Sequence, residues 1–133
     1  MVTARDEFAC TPIYLGSSNS DSPSHVVVAG GYDVNVDRTD SVEIYVIKSN
    51  EWISGPRLPK KMEGAVLTRG DGQRSAAILV GGDVGSPLAT IYNLSTDLKK
   101  WTLSNKRLTT AREDHVAMNV PNGVIGCKAV SGH

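Results

Sequence analysis

The chain has 133 residues and a formal net charge of zero, from fourteen cationic and fourteen anionic side chains. It carries no basic stripe and no polybasic patch, which argues against nucleic acid or a membrane surface as its partner. No apolar run approaches the length of a transmembrane helix, and residues 1–10 lack the apolar core of a signal peptide.

In chain order, short segments rich in Val, Ile, Tyr and Trp read as strands. They fall at residues 8–15, 25–29, 41–47 and 51–53, then at 65–69, 76–80, 89–94 and 100–103, and finally at 115–120 and 124–130. Clusters of Gly, Asn, Asp, Ser and Pro separate them, the mark of an all-β array. No window of twelve residues carries a helical period. The segments 25–29 and 76–80 are apolar on both faces, so each is expected to be covered on both sides. The segment 41–47 alternates Val42, Ile44 and Val46 with Glu43, Tyr45 and Ile47, as a strand nearer a rim would.

The segments also repeat. Gly30–Gly31 returns as Gly81–Gly82 at an offset of 51, Tyr45 as Tyr92 at 47, and Trp52 as Trp101 at 49. Arg57–Leu58, Glu63 and Val66 return at an offset of 50 as Arg107–Leu108, Glu113 and Val116, and the same register places a degraded third glycine pair at Ser131–Gly132. Residues 3–8 read like residues 110–115, with Arg5 matching Arg112 and Met62 standing between them. A period near fifty residues indicates an array of small units. The glycine pair suits a strand that bends sharply beside large aromatics, because glycine accepts positive φ and close backbone approach.

A glycine pair, Tyr45, six residues, Trp52 and then a link bearing Pro and Arg together resemble the kelch repeat. The resemblance covers essentially the whole chain, as about two and a half repeats. It implies an all-β fold, a partial kelch-type β-propeller of four-stranded antiparallel blades, with blade 1 at about 4–57, blade 2 at about 58–108 and a half blade at 109–133. Bare blade faces are costly, so further blades are expected from a longer chain or from self-association. Gly30, Gly31, Tyr45, Trp52, Gly81, Gly82, Tyr92 and Trp101 are the structural positions that the motif implies.

Chemistry is sparse. His25, His115 and His133 are not at metal-ligand spacing from one another or from a cysteine. No nucleophile elbow, phosphate loop or zinc-protease helix signature occurs. No enzyme, metal or cofactor is expected. Cys10 and Cys127 read as small buried hydrophobes, with a disulfide as the alternative in a secreted protein. Asn93-Leu94-Ser95 is a glycosylation sequon, read here first as a turn following Tyr92.

What the resemblance implies about function is recognition of a protein partner, as in substrate adaptors of ubiquitin ligases or actin-type scaffolds, in the cytoplasm. By position in the repeat, the implied partner-binding residues are Tyr32, Asp33 and Arg38 after Gly31, Asp83 and Ser86 after Gly82, and Arg5 and Arg112 entering the innermost strands. Arg5 and Arg112 carry a second reading, in which they tie neighbouring units together through local acids. The alternative function is an extracellular kelch-like protein, carbohydrate-binding or related to galactose oxidase. Occupied glycan at Asn93 or a Cys10–Cys127 bridge would favour it.

Overall fold

A computed structural model of the chain describes residues 1–16 and 22–120. Among these residues there is no helix. Eight strands form two four-stranded antiparallel sheets, each in simple sequential order. The first sheet holds β1 (Ala9–Ile13), β2 (His25–Ala29), β3 (Val42–Val46) and β4 (Glu51–Ser54). The second holds β5 (Val66–Arg69), β6 (Ala77–Val80), β7 (Thr90–Leu94) and β8 (Trp101–Arg107).

Each strand lies where its apolar segment predicts it, with β8 longer than expected. A register shift between Thr90 and Tyr92 lets β8 run on until Arg107 faces Thr90. Residues 115–120 join no ladder. A strand is defined by its hydrogen-bonded neighbour, and the expected one, residues 124–130, lies outside the described residues. Cys127, Ser131–Gly132 and His133 lie outside them as well.

Residues paired across a ladder share a face, so the registers show which face each sheet buries. On one face of the first sheet Ala9, Thr11, Ile13, Val27, Ala29, Val42 and Ile44 are all buried. On one face of the second, Leu67, Ala77, Leu79, Tyr92 and Leu94 are buried. These two faces form one continuous core, closed by Leu58 and Met62 from the link between the sheets. The Trp101 indole reaches across, its Nε1–H donating to Pro56 O at 2.9 Å, and the Arg69 guanidinium lies 4.7 Å from the Tyr14 ring centre.

The glycine pairs do the same work in both sheets. Gly30 and Gly81 have φ of 67°, and Gly31 and Gly82 have φ of 91° and 98°. A Cβ on Gly30 would lie 2.7 Å from Met62 O, and one on Gly81 would lie 2.4 Å from Arg112 O. A Cβ on Gly31 or Gly82 would strike the entry to the innermost strand of its own sheet, at Asp6 O or Ala65 Cβ. The space that a side chain would fill is used by hydrogen bonds from Gly31 N to Met62 O (2.8 Å) and from Gly82 N to Arg112 O (3.0 Å). Each pair therefore docks the next unit onto its own, which requires both positive φ and an absent Cβ.

Two expectations are corrected here. Glu43, placed on the polar side of an alternating strand, is buried, because Arg5 and the residue 2 and 3 amides cover it. Cys10, expected inside, is exposed with a free thiol. It points to the outer face of the first sheet, the side away from the shared core.

Candidate partner-binding mouth

Where β2 and β6 leave their sheets, each chain folds back in a short bridged loop. Tyr32 bridges Asp6 and Arg38, and Asp83 bridges Glu63 and Pro87. Backbone hydrogen bonds of 2.8–3.2 Å hold Asp6 against Tyr32 and Glu63 against Asp83. The two loops are equivalent in the repeat and sit side by side, so side chains from successive sheets meet at one end of the molecule.

The meeting point is Arg38. Its Nη2 donates to Glu63 Oε1 at 3.1 Å and to Asp83 Oδ1 at 2.8 Å, and its Nε donates to Glu63 Oε1 at 3.2 Å. The Tyr32 hydroxyl donates to the same Glu63 oxygen at 3.1 Å, and the Arg38 guanidinium stands 5.7 Å from the Tyr32 ring centre. The two carboxylates are nearly buried, at 7% and 9% side-chain exposure, while Arg38 keeps 32%. A guanidinium from the first sheet thus clamps two acids of the second and still presents an edge to solvent. Among the described residues, the salt bridges of Arg38 are the ones that join side chains of the two sheets.

Further carboxylates surround the clamp. Oxygens of Glu63, Asp83 and Glu113, and likewise of Glu7, Glu63 and Asp114, lie within 4.8 Å of one another. Reduced solvation raises the Glu7 pKa, and the charges of Glu63, Asp114 and Asp6 add to the rise. Glu113 is raised in the same way, with Asp83 and Glu63 the main neighbours. These acids crowd against one another around a single guanidinium, and nothing beyond their proximity points to a metal ion. Behind them a cavity of about 310 Å³ runs along the innermost strands, lined by Phe8, Gly64, Val66 and His115 among others. Burial and the nearby Arg112 charge lower the His115 pKa.

Of the residues that the sequence nominates, Tyr32, Arg38 and Asp83 converge. Asp33 stands on the rim, its Oδ1 accepting the Asn35 and Asp37 amides to shape the exposed loop. Ser86 is exposed on the neighbouring loop, with its carbonyl accepting the Val84 amide. Arg112 is exposed and holds its place through its backbone, donating to Leu88 O and accepting from Gly82 N.

Arg5 belongs elsewhere. Its side chain is fully buried, donating to Gly30 O (3.1 Å), Ser41 O (3.0 Å) and Glu43 Oε2 (2.7 Å). It locks the glycine turn of its own sheet, so neither a partner contact nor a tie to Asp6, Glu7, Glu113 or Asp114 describes it. The residue that sequence reasoning passed over is Glu63. Asp6, Glu63 and Glu113 recur at one position of the repeat, and that acidic series was its signal.

The sequon, expected to form a turn after Tyr92, instead has Asn93 and Leu94 in β7, and the turn begins only after Ser95. Asn93 is half-buried in β7 between Ile78 and Thr102, and Leu94 is fully buried. The Ser95 hydroxyl donates to Asp97 and accepts the Lys99 and Lys100 amides.

Residues 22–59 match the family model described as the Kelch motif. The match runs from the start of β2 through β4 into the link between the sheets. No curated protein matches the chain.

Proposed function

We propose that this chain, which carries a kelch repeat, supplies protein-binding surface at the mouth formed by its β2–β3 and β6–β7 loops, without catalysis of its own. The observation that carries the reading is the Arg38 clamp. It fixes loops of two sheets against each other and holds Tyr32, Asp33 and Arg38 at a partly exposed edge. Rigid scaffolds bearing exposed loops are where recognition residues collect. Glu7, Glu63, Asp83, Glu113 and Asp114 outnumber the Arg38 charge, which favours a partner segment bearing Lys or Arg. A substrate adaptor or a cytoskeletal scaffold in the cytoplasm is the finer form of the same proposal.

Peptides selected from a random display library on the purified chain test it. Selected binders are expected to be rich in Lys and Arg and to bind the E7Q/E113Q variant more weakly. Absence of Lys- and Arg-rich binders, or unchanged affinity of such binders for the variant, would count against the mouth. The same variant carries a stability signature. A carboxyl whose folded pKa is raised above the 4.5 of the free group costs stability once ionised. E7Q/E113Q should therefore melt higher than the parent near pH 7. The difference should shrink as pH falls through the raised values and vanish below about 4, where both groups are protonated folded and unfolded alike.

A further inference from the structure

We infer that Thr110 is a phosphorylation site, modified by a protein kinase that selects an arginine three residues before its acceptor. The site lies on the link that follows β8 and does not depend on the mouth binding a partner.

Arginine precedes a hydroxyl residue at that spacing twice, as Arg38-Thr39-Asp40-Ser41 and as Arg107-Leu108-Thr109-Thr110. The fold closes the first. Arg38 is committed to Glu63 and Asp83. Ser41 is half-buried, its hydroxyl accepting from Thr39 Oγ1 and its carbonyl from the Gly30 amide, both at 3.1 Å. The fold leaves the second open. Arg107, Thr109 and Thr110 are exposed, and among the described residues neither the guanidinium nor either hydroxyl has a partner.

The two links differ at the positions that matter. In the first, Leu58 N donates to Asp40 O and Met62 N to Thr39 O; in the second, Leu108 N donates to Ala89 O and Arg112 N to Leu88 O. Both links are thus pinned at the same two points, and Ala89 stands where Asp40 does. Arg57 pairs with Asp40, whereas Arg107, at the equivalent position, has alanine in place of that acid. Its free guanidinium is what the carboxylates of such a kinase would bind. Pro59 and Lys60 give way to Thr109 and Thr110. Between the pins, residues 109–111 make no backbone–backbone hydrogen bond among the described residues, so they can enter a kinase cleft without breaking a ladder. Exposure here does not depend on which unit follows. Arg57, Pro59, Lys60 and Lys61 hold the same places in the first link, with the second sheet packed against it, and all four are exposed.

In the transfer, Thr110 Oγ1 bonds to the γ-phosphorus of ATP as the bond from that phosphorus to the ADP oxygen breaks, and the hydroxyl proton passes to the kinase's base. The product carries about −1.5 to −2 charge at pH 7. Arg112 O accepts the Gly82 amide at the root of the β6–β7 loop, so the new charge stands two residues from a contact with the mouth.

The full 133-residue chain, incubated with Mg-ATP and a purified kinase of this specificity, tests the site by tandem mass spectrometry. Phosphate is expected on Thr110 and not on Ser41. T110A should remain unmodified, and R107A should be modified about tenfold or more slowly. Both side chains are exposed, so each variant should keep the parent circular dichroism spectrum. A folded chain that takes up no phosphate, phosphate placed chiefly on Thr109 or Ser41, or an undiminished rate in T110A or R107A would each overturn the inference.

Discussion

Arg5 and Met62 stand at one position of successive units, and their neighbours change with them. The ladders place Glu43 opposite Val28 in the first sheet and Tyr92 opposite Leu79 in the second. Arg5 with Glu43 and Met62 with Tyr92 are therefore two solutions to the same buried site, one ionic and one apolar. All four residues are at most 9% exposed. Burial tends to raise the Glu43 pKa, but hydrogen bonds from the Val2 and Thr3 amides and the Arg5 guanidinium outweigh it and hold the carboxyl low. Breaking such a pair leaves a buried charge uncompensated, at a cost of about 3 kcal/mol, whereas exchanging both partners for apolar groups can be neutral. R5M and E43Y should each destabilise by roughly that amount, and R5M/E43Y should recover most of it, as read from urea unfolding midpoints. A depressed folded pKa contributes stability above the free carboxyl pKa and loses it as pH falls through the folded value. The double variant should lack that acid-dependent loss. Additive single effects would mean that the pair is not a unit.

At the scale of the strand, the sequence shows where strands lie but not how they face each other. Every β-segment is legible because apolar runs, turn clusters and glycine pairs are local signals. The pairing of Tyr45 with Tyr92 is not sustained by the ladders. Tyr45 faces Trp52, with six residues between them, and the residue that faces Trp101 across the same six-residue interval is Leu94. Tyr92 stands two residues before Leu94 and faces Leu103, so matching the repeats by their aromatics puts the pair on the wrong rung. Register depends on which side chains reach the neighbouring sheet, and that contact is invisible to a period count. The burial of Glu43 and the Arg38 clamp escape for the same reason, since each joins residues 25 to 45 positions apart. Trp101 is the element-scale test. Its hydrogen bond to Pro56 O ties β8 to the link after β4. W101F keeps an aromatic ring and removes the donor, so it should lower stability by about 1 kcal/mol. A loss within error would mean that the indole N–H contributes nothing to holding the sheets together.

At the scale of the molecule, the two sheets share one core and one set of ties. The apolar cluster runs from Ile13, Val27 and Ile44 to Leu79, Tyr92 and Leu94 without a break. Gly31 N to Met62 O, Gly64 N to Glu7 O, Arg38 to Asp83 and Trp101 to Pro56 cross between the units. Such stacked units exchange burial with their nearest neighbours, so neither sheet can open alone without exposing the other's buried face. The mouth exists only because the sheets are held in this relation, which makes their joint folding the claim on which the rest depends. The most direct test is 19F NMR of protein labelled with 5-fluorotryptophan through a urea titration. Trp52 reports from the first sheet and Trp101 from the second, in one sample. Both resonances are predicted to convert from folded to unfolded at the same midpoint. Two separate midpoints, with one sheet unfolding while the other persists, would contradict the shared core.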